Sequence, residues 1–262
     1  MVNTDDQRVA LVLAASRGLG RGSAEALARS GCRIVLCARG KEELEETAKG
    51  IRSLGAMVAT KLVDVRSNDD IASAVEHAHE VFGGLDALVC NAGGPPPGDF
   101  ASVSEEDWRT GFELTLMSVV RAVGHAVPLM RARDGGRIVV IGSSSVKKPI
   151  PRLVISNVYR PGLLGLVKSL AVELAPEGIT VNMVSPGRIQ TGRVGRLDQL
   201  AAEREGVDVQ TIRDRSIASI PMGRYGTPSE LGAMVAFLAS KDAAYVTGQS
   251  VLVDGGMVPT LP

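Results

Sequence analysis

Aromatic residues are scarce, 3% of 262 positions. That argues against a surface built to stack on bases or sugar rings. Excess charge is missing too: 29 Lys+Arg offset 29 Asp+Glu. A balanced chain gives no electrostatic case for nucleic acid or an anionic membrane as its main partner. Cysteine is rare, with only Cys32, Cys37 and Cys90. An odd set without Cys-x-x-Cys spacing speaks against a disulfide framework or a zinc site, and no metal site is expected. Each thiol sits beside an apolar run, which predicts buried free cysteines. No run of ~18 apolar residues is present, so no membrane span is expected. The polar start Met-Val-Asn-Thr-Asp-Asp-Gln-Arg has no basic segment leading into an apolar one, as a signal peptide would. The cytoplasm is the expected compartment. No linker, repeat or low-complexity tract divides the chain, so residues 1–262 read as one domain.

Apolar residues are plentiful at 45%, and there are 30 glycines. Short apolar runs alternate with longer helical patterns. Strands are predicted at Val9–Ala14, Arg33–Ala38, Met57–Val63, Ala87–Cys90, Arg137–Gly142, Thr180–Val184 and Ser250–Val253. Helices are predicted at Gly20–Ser30, Glu42–Leu54, Asp69–Phe82, Glu105–Met130, Ser156–Ala175 and Ser229–Ser240. Strands of four to six residues with little polar alternation fit burial on both faces. Strict β-α alternation then implies an α/β fold: a doubly wound, Rossmann-like parallel sheet with helices on both faces. Such sheets bind ligands at the C-terminal ends of their strands. The irregular stretch 190–222 carries two short amphipathic patterns, Asp198–Glu205 and Asp208–Ser219. It is expected to form a helical lid over the ligand, with a solvated excursion used for subunit contact as the alternative.

The first strand runs into Ala14-Ala15-Ser16-Arg17-Gly18-Leu19-Gly20. A glycine turn between strand and helix lets backbone N–H groups and the helix N-terminus meet a pyrophosphate. This segment resembles the glycine turn of the short-chain dehydrogenase/reductase family. Gly18 and Gly20 match the family's last two glycines, while Leu13 and Ala14 replace its Thr and first Gly. Alanine at 14 is expected to keep φ negative or to shift the turn. The resemblance continues along nearly the whole chain. Asp64-Val65 is similar to the family's adenine-contacting pair, and Cys90-Asn91-Ala92-Gly93 to its Asn-Asn-Ala-Gly turn. Ser185-Pro186-Gly187-Arg188-Ile189-Gln190-Thr191 resembles the segment that cradles the nicotinamide amide. Tyr245-Val246-Thr247-Gly248-Gln249 and Val253-Asp254-Gly255-Gly256 resemble the C-terminal signature.

The resemblance implies that Ala14, Ser16, Arg17, Gly18, Leu19, Gly20, Asp64, Val65, Asn91, Ala92, Gly93, Pro186, Gly187, Ile189 and Thr191 hold a dinucleotide. Its type has a charge argument. A carboxylate after the second strand would bond a ribose 2′-hydroxyl and select NAD. This strand ends Cys37-Ala38-Arg39 instead. Arg17 and Arg39 together suit a 2′-phosphate, since guanidinium is permanently charged and bonds it bidentately. NADP(H) is therefore the expected cofactor; the alternative is a pair of solvated arginines.

The family's catalytic set is Asn-Ser-Tyr-Lys, and here the pattern breaks. Gly136–Ser143 resembles the strand that ends in the Ser, which places it at Ser143, with Ser144 and Ser145 as near alternatives. The helix after the family's Tyr-x-x-x-Lys is present as Gly162-Leu163-Leu164-Gly165. Counting back from it puts Arg160 at the Lys position and Ser156 at the Tyr position. Counting from Glu113 puts Thr115 at the Asn position. A serine hydroxyl is far less acidic than a phenol of pKa near 10. Arginine stays protonated, yet it can hold ribose hydroxyls and stabilise an oxyanion. Ser156 and Arg160 lie one turn apart on a shared face. Tyr159 is rotated by about 100° from Arg160 and reads as a packing or interface residue, with substitution for the missing phenol as the alternative.

Ser143, Ser156, Arg160 and Thr115 are thus the candidate catalytic residues, with ordered water delivering the proton. Pro161 is expected in the first turns of its helix, where it would constrain Arg160's backbone. Lys147 and Lys148 follow Ser143 near the pocket, to meet an anionic substrate or to be solvated. Pro95-Pro96-Pro97 stiffens a loop at the same mouth. His77 and His79 do not share a helix face well, and His125 reads as a helix-packing residue.

The leading expectation is an NADP(H)-dependent oxidoreductase acting on a small-molecule carbonyl or alcohol, 3-oxoacyl reductase-like. Its rivals are a non-redox enzyme using Ser143, Ser156 and Arg160 as an oxyanion clamp, and a non-catalytic NADP(H)-binding protein. The family resemblance also implies a homotetramer or homodimer packed through the helices near Thr115 and Ser156.

Overall fold

The structure, a computed structural model, describes residues 7–260. The first residues of the acidic start therefore lie outside the described residues. Seven strands form: β1 (Val9–Val12), β2 (Arg33–Ala38), β3 (Val58–Leu62), β4 (Ala87–Cys90), β5 (Gly136–Ile141), β6 (Ile179–Pro186) and β7 (Ser250–Val253). They build one sheet in the order β3-β2-β1-β4-β5-β6-β7, every neighbouring pair parallel. This is the expected doubly wound α/β architecture in a single domain. The order reverses at β1, which has β2 on one side and β4 on the other. Chains leaving β1 and β4 diverge to opposite faces, so a crevice opens at their C-terminal ends.

The helices are α1 (Gly18–Arg29), α2 (Lys41–Arg52), α3 (Asn68–Phe82), α4 (Glu105–Phe112), α5 (Ser118–Arg131), α6 (Val154–Leu174), α7 (Gly192–Glu205), α8 (Val209–Ala218) and α9 (Pro228–Leu238). Alternate strand residues face opposite layers, as a two-residue period demands. Leu88, Ile138, Val140 and Val181 pack with Ile71 of α3, Val123 and Ala126 of α5, and Leu163 and Val167 of α6. Ala10, Val12, Leu36 and Val139 pack with Leu27 of α1, Leu44 of α2, and Leu231 and Val235 of α9. Each such buried aliphatic side chain contributes about 1.5–3 kcal/mol. Cys32, Cys37 and Cys90 are buried and free, as expected.

Three local details depart from the sequence reading. The expected helix Glu105–Met130 is interrupted by a π turn at Glu113–Met117, which separates α4 from α5 and carries Thr115. A π turn inserts one residue and rotates the side chains after it. Helix α6 starts at Val154, before Ser156, so Pro161 lies inside the helix rather than in its first turns. Arg160 is helical there, so the expected effect of Pro161 on its backbone is not seen. Helix α7 begins at Gly192 instead of Asp198, because Thr191 accepts a hydrogen bond from Val194 N at 3.3 Å and caps it.

Among the described residues, Glu105–Arg131 is the one helical stretch long and apolar enough by composition to cross a membrane. In this fold Val119, Ala122, Val123, Ala126, Val127 and Met130 of that stretch are buried against the core.

Candidate active site

The crevice begins at the β1–α1 turn. Gly18 opens α1 with φ +55°, where an L side chain is strained. A Cβ on Gly20 would stand 2.3 Å from Ala14 O, so that turn admits only glycine. No side chain caps α1, and no acidic residue lies in its first turn. The helix N-terminus is therefore kept for an anion. Ala14 has φ +49°, which corrects the expectation of a negative value. Asn91 holds it there: its Nδ2 donates to Ala14 O at 3.1 Å, tying the turn after β4 to the turn after β1. Gly93 has open space where a Cβ would point. These features fit a dinucleotide laid across the two turns.

The adenosine end is more exposed. Arg17 is an exposed side chain with Glu43 3.6 Å away, and Ser16 Oγ donates to the same carboxylate at 3.4 Å. An exposed pair of this kind is worth about 1 kcal/mol or less, so a 2′-phosphate can compete for Arg17. Arg39 is exposed and has no carboxylate within 4.0 Å among the described residues. Asp64 is clamped by Arg66, NH2 to Oδ2 at 2.6 Å, and that hydrogen bond holds its carboxyl below the ordinary range. Val65 is buried beside it. Sequence reasoning found neither Glu43 nor Arg66.

At the other end a cleft of about 440 Å³ gathers Leu19, Asn91 and Ala92 with Pro186, Gly187, Ile189 and Thr191. Ser143, Ser156 and Arg160 line the same cleft. Ser143 sits where β5 ends. Its backbone is extended and its Oγ accepts from Ser145 N at 3.2 Å, starting the turn Ser144–Val146. Ser144 lines the cleft as well. Ser145 is buried, and its hydroxyl meets the Ser156 hydroxyl at 3.2 Å. Ser156 is 5% exposed and Arg160 8%.

Arg160 NH1 donates to Ile141 O, while its Nε finds no partner. Burial first, and Arg193 second, lower its pKa from the ordinary arginine value to about 10. It remains a cation at neutral pH, and a poorly compensated one. Thr115 is buried in the π turn with its Oγ1 unpartnered, and it does not line the cleft.

Tyr159 faces elsewhere. Its hydroxyl donates to Trp108 O at 3.2 Å, and its ring packs edge-on to Trp108 at 5.7 Å and tilted to Phe112 at 5.8 Å. It does not line the cleft, as its position on the helix predicted. Lys148 and Pro95 line it, and Lys147 does not. His125 bonds Asn68 across helices at 3.0 Å. No metal-holding cluster occurs among the described residues.

Two constellations escaped sequence reasoning. Arg193 of α7 reaches across the mouth and donates to Gly94 O at 3.1 Å and Pro95 O at 2.9 Å. Asp198, 1% exposed, accepts from Arg188 at 2.6 Å and from the Tyr225 hydroxyl at 3.1 Å. The bare glycine at 94 was the only local signal for the first. The second had none. At the C-terminal signature, Asp254 accepts from Gly256 N and Val258 N at 3.0 and 2.9 Å, which sets Met257 and Val258 in the cleft wall.

With this geometry in hand, known proteins offer close parallels. A family model described as Enoyl-(Acyl carrier protein) reductase matches residues 13–258. A Streptomyces coelicolor protein that bears the name of a ketoacyl reductase is 37% identical over 97% of this chain and 98% of its own. The human protein named dehydrogenase/reductase SDR family member 4 is 34% identical, over 95% of this chain and 87% of its own. Among solved structures, a point variant of actinorhodin polyketide ketoreductase with NADPH superposes with a TM-score of 0.95. It is 36% identical and covers 99% of this chain and 100% of its own.

Proposed function

The chain belongs to the short-chain dehydrogenase/reductase family, and from that premise we propose a carbonyl reductase whose proton-donor and cation positions are held by Ser156 and Arg160. It is an NADP(H)-dependent oxidoreductase acting on a small-molecule carbonyl, 3-oxoacyl reductase-like in type. The observation that carries the proposal is that Ser143, Ser156 and Arg160 line one cleft, the last two nearly buried.

Gly18–Gly20 and the α1 N-terminus would hold the pyrophosphate, and Arg17 and Arg39 the 2′-phosphate. Asp64 and Val65 would border the adenine, and Asn91, Ala92 and Gly93 the ribose side. Pro186, Gly187, Ile189 and Thr191 would flank the nicotinamide. When bound, the cofactor supplies the hydride. Ser143 and Ser156 hydroxyls then donate to the substrate oxygen, and the desolvated Arg160 cation stabilises the charge that develops there. Ser156 passes its proton to that oxygen and regains one through the Ser145 hydroxyl it already touches, with ordered water completing the relay. The π turn that carries Thr115 packs against α6, and Thr115 would support Arg160's helix rather than meet substrate.

Residues 190–222 act as the lid: Arg193, Val194 and Leu197 of α7 and Ser216 and Ser219 around α8 line the cleft. Exposed Val158 and Val172 on α6, with Phe112 and Val120, support association of copies through these helices as a homodimer or homotetramer. Three buried free thiols agree with a reducing compartment such as the cytoplasm.

The purified protein with a panel of carbonyls, followed by NADPH oxidation, is the test. Turnover should be measurable, and Ser156→Ala should lower kcat about 10- to 100-fold. Unchanged turnover removes Ser156 from the mechanism. Absence of oxidation with every carbonyl removes the reaction.

A further inference from the structure

The cleft is one-sided in charge. Lys148, Arg160, Arg188 and Arg193 line it, and among the described residues no Asp or Glu does. Arg188 is neutralised from behind by Asp198 at 2.6 Å. The adjoining chamber of about 750 Å³ is different, because its arginines are paired. Arg152 meets Asp99 at 2.5 Å, and Arg204 and Arg215 meet Glu205 at 2.8 and 2.9 Å. Lys148, Arg160 and Arg193 have no carboxylate within 4.0 Å among the described residues. Arg160 already serves the reacting oxygen, so Lys148 and Arg193 remain without a task.

Arg193 is built into its place. A Cβ on Gly94 would stand 2.0 Å from the Arg193 Cζ, so the loop after β4 gives up a side chain to admit the guanidinium. The carbonyls of Gly94 and Pro95 fix two of its N–H donors. A guanidinium has five, so three stay open to a ligand. Its charge is felt at Arg160, where it adds to the effect of burial. Two like charges held near one another in a cleft await an anion. The cofactor's phosphates have their own partners at the α1 N-terminus, Arg17 and Arg39. The cleft that Arg193 lines also has apolar walls, among them Ile150, Leu153, Val194 and Leu197. An apolar wall ending in a fixed guanidinium suits a short hydrocarbon chain ending in a carboxylate.

We propose that Arg193, seated against Gly94 and aided by Lys148, recognises a carboxylate carried by the carbonyl substrate, so that the preferred substrates are oxo acids. This rests on the reductase reading above and names its substrate class.

The experiment compares matched pairs, straight-chain oxo acids and their methyl esters, by kcat/KM with NADPH. The native protein should favour the acid by at least about tenfold, and Arg193→Leu should reduce the acid-to-ester ratio about 10- to 100-fold, chiefly through KM. Arg193→Lys should recover part of that ratio. NADPH affinity, titrated by fluorescence without substrate, should change less than about threefold in Arg193→Leu. Equal use of acid and ester by the native protein overturns the proposal. So does a parallel loss on both substrates with weakened NADPH binding, which would assign Arg193 to the cofactor. Thermal stabilisation of the NADPH-loaded protein by the saturated carboxylic acid, lost in Arg193→Leu, is expected even where no carbonyl turns over. Its absence in the native protein also overturns the proposal. The binding arm thus separates failure of this inference from failure of the reductase reading.

Discussion

Replacing Arg160 with methionine is expected to raise the stability of the cofactor-free protein while weakening its response to NADPH. Arg160 is 8% exposed, its Nε has no acceptor, and Ile141 O is its only hydrogen-bond partner among the described residues. A guanidinium held at about 10, below the ordinary arginine value, carries about 3 kcal/mol of unfavourable charging free energy at neutral pH. Losing the bond to Ile141 O costs about 1 kcal/mol. Methionine matches the apolar stem and adapts to the gap. The net gain is about 2 kcal/mol, or about 4 °C in Tm for a chain of this size. The pH dependence has a definite sign. Between about 10 and the ordinary arginine value the unfolded chain holds a proton that the folded protein has released, so stability rises with pH there. The penalty is complete below about 10 and fades as pH rises through it. The difference between Arg160→Met and the native protein should therefore stay level from pH 7 to 9 and shrink above 10. Thermal melts with and without NADPH measure both effects. A Tm lowered by more than about 2 °C in the cofactor-free variant would show that the guanidinium stabilises the resting fold, and the reasoning would fail.

Two further outcomes follow from local geometry. Ala14 holds φ +49°, which costs a non-glycine residue about 1–2 kcal/mol, partly offset by the greater chain entropy of glycine. Ala14→Gly should raise the urea midpoint by the equivalent of up to about 1 kcal/mol; a fall would mean that the turn is not strained. Asp198→Asn weakens the buried set with Arg188 and Tyr225 that ties α7 to the loops after β6 and α8. It should cost about 2 kcal/mol and speed proteolysis within 192–218; an unchanged cleavage pattern would show that the lid is held by other contacts.

Much of the fold was legible because its signals are local. Strand runs such as Ala87–Cys90 and Ser250–Val253 were recovered to the residue. The count that makes Ser156 and Arg160 candidate catalytic residues needed only the spacing to Gly162. The shared cleft and the outward Tyr159 agree with that spacing. Other features were hidden. The π turn at Thr115 and the left-handed Ala14 are backbone choices that packing imposes against ordinary preference. The contact between Arg193 and Gly94 joins residues 99 apart. Asp198 and Tyr225, 27 apart, meet through helices whose composition marks only a solvated face.

The amino-acid order alone determined the alternation of strands and helices, the glycine turn, and the placing of Ser156 and Arg160 one helical turn apart. These depend on near neighbours and on the chemistry of single side chains. Tertiary structure decided which charges stay unpaired in the cleft and which hydroxyl Ser156 touches. Those depend on the strand order, which brings the ends of β4, β5 and β6 together and leaves Arg193 facing a glycine instead of a carboxylate.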